Sequence, residues 1–266
     1  MTEICDLQSV KDFSAFGGST ITTTMNPPVR TKSAHRRARG GRIKMTDANA
    51  AQMIRRVLVA SITGSLPDEY RDDAVNLLTE ALSAPDDDVR GLAVIALHEI
   101  GGGAPLVLPA LTSALHDSCE LVRRRASRAM GELGLAAIPA MPHLTAGLQD
   151  ESRSVRLECA SALGRIGPDA EPALPNLFSL LLEPDVRVRS VVSIAIRKLG
   201  DAAVSYALAM VSDIDPLMRE RSCELLGHLG CPDDHVVEAL LEACTDSEPE
   251  VREAARNGLD RLQQRG

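Results

Sequence analysis

Apolar side chains recur through residues 47–263 at intervals of three and four, the spacing that gathers them on one face of an α-helix. The first stretches to show it are "DANAAQMIRRVLVASITG" and "LPDEYRDDAVNLLTEALSA", which predict an N-terminal helix pair over 47–84 that caps the remainder of the chain. From residue 85 the pattern repeats itself. The pair Val89-Arg90 returns as Val122-Arg123, Val155-Arg156, Val188-Arg189 and Val251-Arg252, with Met218-Arg219 in the series, at intervals of 33, 33, 33, 30 and 33 residues.

Other positions keep the same step. Five residues before the Val or Met stands an acid in five of six copies: Asp117, Asp150, Glu183, Asp213 and Asp246. Twelve residues after it stands Gly101, Gly134, Gly167, Gly200 or Gly230. Eight residues before the acid, three copies carry Pro109, Pro142 or Pro175. Offsets 0, 4, 7, 8 and 11 form one apolar stripe, with Ala96, Ala129, Ala162 and Ala195 at offset 7. A Gly at the end suits a left-handed helix C-cap. Each copy therefore predicts a helix, a turn and a second helix. No pair can bury its stripe alone, so the pairs must stack. The 30-residue interval shortens the first helix at Asp201–Asp213 and removes its Pro, which predicts a local change of superhelical angle.

The architecture implied is all-α: a right-handed α-α superhelix of about six to seven helix pairs. The ankyrin T-P-L-H signature is missing, and the aromatics that tetratricopeptide repeats need are too few. The order Pro, acid, Val-Arg resembles the HEAT repeat of the armadillo-like superfamily, and Pro109/Asp117/Val122/Arg123 and Pro142/Asp150/Val155/Arg156 match it at all four places. The compact period is similar to the short HEAT-like repeats first named for phycocyanobilin lyases. That resemblance implies a structural ladder, in which the acid serves the turn and the Arg bridges it and its neighbour. Its members are Asp117, Arg123, Asp150, Arg156, Glu183, Arg189, Asp213, Arg219, Asp246 and Arg252, with Arg90 before them. Partly exposed rungs contribute at most ~1 kcal/mol each.

Composition narrows the function classes. Only 2% of the residues are aromatic and none is Trp, so the core must be aliphatic. The net charge of −8 is uneven: residues 1–44 carry eight Lys/Arg against three Asp/Glu. The body is therefore acidic, which makes sequence-independent nucleic-acid binding by the solenoid unfavourable. Residues 1–46 have no sustained period and predict a disordered basic tail. It is either a solvated extension, even one upstream of a start at Met45, or an arm for nucleic acid or an acidic surface. Six scattered cysteines without a C-x-x-C pair point to a reducing compartment, and no apolar run approaches the ~20 residues that cross a bilayer. With no apolar signal core behind Glu3 and Asp6, a cytoplasmic protein is expected.

Catalytic constellations are sparse. The HEAT-like deoxyhypusine hydroxylases use His-Glu pairs at the start of second helices, whereas here His98-Glu99 stands near a helix end. His228, Cys231 and His235 read H-x2-C-x3-H but lack a fourth ligand. No catalytic residue, metal or cofactor is expected.

The second helices offer a surface instead. Arg124, Arg125 and Arg128 lie off the buried stripe, on the side that lines the concave face of stacked repeats. Equivalent offsets bring Leu92, Ile95, Leu157, Val191, Ile194 and Arg197 to the same face. A basic centre flanked by aliphatic side chains suits an acidic, partly apolar segment of another protein. The other reading is a solvated face with ion pairs between repeats, such as Arg124 or Arg128 with Glu158. The function expected is a non-catalytic protein-interaction scaffold, with no membrane partner. The alternative is an accessory or lyase-like enzyme of the short HEAT-repeat family, related to bilin lyases or oxidoreductases.

Overall fold

A computed structural model describes residues 47–100, 104–231 and 233–264. The predicted tail over 1–46 and the cap at Gly101 lie outside the described residues. A single helix, α1 (Asp47–Ile62), is followed by six helix pairs. These are α2 (Arg71–Ala81) with α3 (Asp87–Ile100), α4 (Ala104–Ala114) with α5 (Glu120–Leu133), and α6 (Met141–Gly147) with α7 (Arg153–Ile166). Then come α8 (Leu174–Leu181) with α9 (Val186–Arg197), α10 (Asp201–Met210) with α11 (Pro216–Leu229), and α12 (Asp234–Ala243) with α13 (Pro249–Gln263). No strand occurs among the described residues, and the architecture is the expected all-α solenoid.

The second helices pack on one another in a row, α3 on α5, α5 on α7 and α7 on α9, while successive first helices barely touch. The second helices thus form one continuous, closely packed layer, the inner face of the stack. α1 and α2 do not pack as a mutual pair: both lie chiefly against α3, with α1 joining the inner row.

The stripe positions are buried as the spacing demands. Val89, Val122, Val155, Val188 and Val251 are 1% exposed or less, as are Leu97, Met130, Leu163 and Ile196 eight positions on. The acids build the turns. Asp117, Asp150, Asp213 and Asp246 each accept, through Oδ1, the amide of the residue two ahead at 2.8–2.9 Å. That fixes the chain just before the next helix starts. The glycines differ from the simple C-cap expected. Gly230 is left-handed, but Gly134, Gly167 and Gly200 combine φ of 56°, 81° and 71° with ψ near −126° to −141°. This region is closed to other residues. It turns the chain directly into the next segment, which at Gly134 and Gly167 is a 3-10 turn.

The ladder is present, with two open rungs. Arg90, Arg123 and Arg219 each grip the carboxylate of Asp117, Asp150 or Asp246 through Nε and NH2 at 2.7–2.9 Å. Arg156 meets the longer Glu183 at 3.0 Å. Arg90 and Arg123 are only 8% and 7% exposed, so these rungs are buried rather than partly exposed. The ~1 kcal/mol ceiling of a surface pair therefore does not apply to them. Arg189 makes no ion pair with Asp213, and Arg252 meets no acid, among the described residues.

The gap at Arg189 coincides with the 30-residue interval. Elsewhere small residues bring inner helices together. A Cβ added at Gly131 would lie 2.9 Å from Ala162 Cα, at Gly164 2.8 Å from Ala195 Cα, and at Gly227 2.6 Å from Gly258 Cα. Between α9 and α11 the corresponding places hold Arg197 and Leu225. These two helices make little contact, and α11 rests instead on α10 and reaches α8. The departure expected from the short interval thus takes the form of an opening in the inner layer.

Candidate functional site

The inner face carries the residues singled out by the repeat offsets. Arg124 and Arg128 on α5 are exposed and Arg125 is half-buried. Leu92 and Ile95 on α3, Leu157 on α7 and Val191 on α9 are half-buried, while Ile194 is 52% exposed and Arg197 is exposed. A cavity of about 320 Å3 lies between α3 and α5 and brings four of these together: Ile95, Arg124, Arg125 and Arg128. Leu157, Val191, Ile194 and Arg197 lie further along the face, outside it.

The cavity also holds His98, Glu99 and Glu132, which the offsets did not flag. Glu132 is the hub. It accepts from Arg128 Nε at 3.0 Å, pairs with His98 Nε2 at 2.8 Å, and has Arg165 NH1 3.7 Å away. Arg128 therefore has a partner, one turn ahead on its own helix, and the expected pairing with Glu158 is reduced to a longer-range attraction. The i, i+4 spacing of Arg128 and Glu132 was the available signal. His98-Glu99 does not act as a unit, because His98 turns to Glu132.

Arg124 and Arg125 are different. Neither has an ion pair or side-chain hydrogen bond among the described residues. Arg125 reaches from α5 across to α3, where its NH1 occupies the space a Cβ on Gly91 would fill, 2.2 Å from that position. Gly91 thus lets the tip of the guanidinium come close against the neighbouring helix. Two uncompensated cations and one compensated cation face the cavity, beside an apolar wall at Ile95.

The structure does not gather His228, Cys231 and His235 at one point. Among the described residues no three His, Cys, Asp or Glu side chains converge on one point. His228 Nδ1 lies 2.8 Å from the Glu224 carbonyl, and burial, helped by Arg261, lowers its pKa.

Family models described as HEAT repeats match residues 42–131 and 141–216, and a HEAT repeat model matches 236–265. The chain belongs to the HEAT-repeat family. HEAT repeats generally mediate protein interactions. No curated protein sequence matches this one significantly. The chain is also similar, at low identity, to several solved structures. The archaeal HEAT-like repeats protein from Thermococcus onnurineus NA1 is 16% identical, with 84% of this chain and 98% of that chain covered and a TM-score of 0.46. The complex of CpcE and CpcF of phycocyanin lyase from Nostoc sp. PCC7120 is 17% identical over 90% and 100%, with a TM-score of 0.42. A designed armadillo repeat protein in complex with the peptide (KR)4 is 19% identical over 71% and 99%, with a TM-score of 0.45. No helix among the described residues is long and apolar enough to cross a membrane.

Proposed function

We propose that this HEAT-repeat protein is a non-catalytic scaffold that holds an acidic, partly apolar segment of another protein on its inner face. The observation that carries the reading is the contrast among its arginines. Ladder arginines such as Arg123 are saturated by carboxylates and backbone carbonyls. Arg124 and Arg125, next along the same helix, have no partner among the described residues and face a cavity walled by Ile95. An acidic side chain entering there gains two charge-assisted contacts, and its apolar neighbours find Leu92, Ile95 and Leu157.

The test is a displayed library of peptides that combine Asp or Glu with Leu, Ile or Val, followed by titration of the best binder. The double variant Arg124→Glu, Arg125→Glu should weaken that peptide by about 100-fold or more, the loss of two charge-assisted bonds. Its melting temperature should stay close to that of the parent. Equal binding by the double variant would sink the reading.

A further inference from the structure

Every ladder arginine is held by the same two backbone acceptors. Its NH1 donates to the carbonyls six and five residues earlier: Ala84 and Pro85 for Arg90, and Asp117 and Ser118 for Arg123. The grip on Arg189 is as tight, at 2.8 Å to the Glu183 carbonyl and 2.7 Å to that of Pro184. This hold fixes the guanidinium plane. In four rungs it aims the Nε/NH2 edge at the next repeat, where Asp117, Asp150, Glu183 or Asp246 receives it.

At Arg189 no carboxylate arrives among the described residues. The following interval is three residues short, and Asp213 is 24 residues ahead where the filled rungs use 27. The Asp213 carboxylate holds the Asp215 amide, as the acids of the filled rungs hold theirs, but receives no arginine from the repeat before it. Glu220 feels the charge of Arg189, but it pairs with Arg221 at 3.0 Å. Arg252 is gripped in the same way and also lacks an acid, yet no further inner helix follows it among the described residues. The open rung at Arg189 lies inside the stack, at the joint where α9 and α11 separate.

We propose that the Nε/NH2 edge of Arg189 is a preformed carboxylate-binding site, and that it takes an Asp or Glu side chain from a partner segment lodged at this joint. The ligand class follows from the filled rungs, all of which hold a carboxylate side-on. A planar fork fixed by two carbonyls matches a planar carboxylate and loses little freedom on binding it. Apolar side chains stand nearby in the chain for the rest of such a segment. Val186, one turn before Arg189, is 63% exposed, and Ile214, in the turn that fails to supply the rung, is 95% exposed. The site is independent of Arg124 and Arg125.

The experiment tracks the Nε–Hε resonances of arginine in the full-length 15N-labelled chain during titration with glutarate, inorganic phosphate or chloride at matched ionic strength. Glutarate should shift the Arg189 signal saturably, with half-saturation on the order of 10 mM, the low end for two charge-assisted bonds on a fixed fork. The Arg123 signal, whose edge is filled, should not move. The Arg189 response should persist in the Arg124→Glu, Arg125→Glu variant, and Arg189→Lys should remove the signal and assign it. The comparison of Arg189 with Arg123 in the parent chain needs no variant to fold. A linear, non-saturating shift shared with chloride would overturn the site, and saturation by phosphate but not glutarate would overturn its assignment to carboxylates.

Discussion

Arg123 Nε and NH2 lie 2.7 and 2.9 Å from the two carboxylate oxygens of Asp150, which is 27 residues ahead in the chain and one repeat away in space. The pair is closed off from water on both sides, with 9% and 12% of the side chains exposed. NH1 of the same guanidinium holds the carbonyls of Asp117 and Ser118. One side chain thus ties its own turn to the next.

Removing it leaves a carboxylate with little water to replace the lost partner. Arg123→Ala should cost ~2–4 kcal/mol in urea unfolding. Arg189→Ala, which has only the two carbonyl bonds to lose, should cost less than Arg123→Ala by at least ~1 kcal/mol. Equal losses at the two positions would show that the carboxylate rung adds nothing to the backbone grip.

The glycines in the inner helices make a second contrast. At Gly227 an added Cβ would lie 2.6 Å from the Cα of Gly258, so both helices must move apart. At Gly91 it would meet the NH1 end of Arg125, a flexible tip that can swing away. Alanine improves helix propensity by about 1 kcal/mol at either site. Gly227→Ala should nevertheless destabilise by ~1–3 kcal/mol through overpacking. Gly91→Ala should be neutral or stabilising, and it should dislodge Arg125 from α3. Thermal melts of the two variants give the sign in each case.

Both contrasts bear on what a sequence can disclose. The period, the stripe and the acid–arginine marker were legible because they recur as identities at fixed offsets. Gly131, Gly164 and Gly227 also recur, nine residues after the Val or Met, but their meaning lies in a partner on another helix. Only packing joins them to Ala162, Ala195 and Gly258. The 30-residue interval was visible as an irregularity, whereas its consequence at Arg189 needed the geometry of the filled rungs for comparison. On the inner face the cations were legible and their neutralisation was not. Glu132 looked like one acid among many, until the fold placed His98 from α3 and Arg165 from α7 beside it.

The rungs set a limit on acid stability. The hydrogen bonds from Arg219, with further help from the Glu248 amide, pull the Asp246 carboxyl down to about 2. Asp117 and Asp150 are also lowered: burial opposes the shift, but the bonds from Arg90 and Arg123 and the turn amides outweigh it. A carboxyl depressed in the folded state stabilises it above the unfolded value of ~3.9, and that contribution drains away as pH falls toward the folded value. Stability should therefore hold from pH 7 to about pH 5 and decline steeply below about pH 4. Asp246→Asn should be less stable than the parent at pH 7, and the gap should shrink by pH 3. A constant gap across that range would contradict the ion-pair origin of the rung.

The cysteines can report how the two sides of the joint come apart. Burial pushes the thiols of Cys159 on α7 and Cys223 on α11 up to about 12, and both are 0% exposed. Neither offers a thiolate to a disulfide reagent at pH 8 while folded; Cys119, Cys231 and Cys244 are only half-buried. Cys159 is enclosed by inner helices on both sides, with α5 and α9 packed against α7. Cys223 has such a neighbour only in α13, because α9 has drawn away from α11. Repeat arrays are held by nearest-neighbour interfaces, so a segment with one weak interface opens first. In variants retaining a single cysteine, at a urea concentration below the main transition, Cys223 should be modified at least ~10-fold faster than Cys159. Identical rates would mean that the solenoid opens as one cooperative body and that the gap between α9 and α11 does not weaken it.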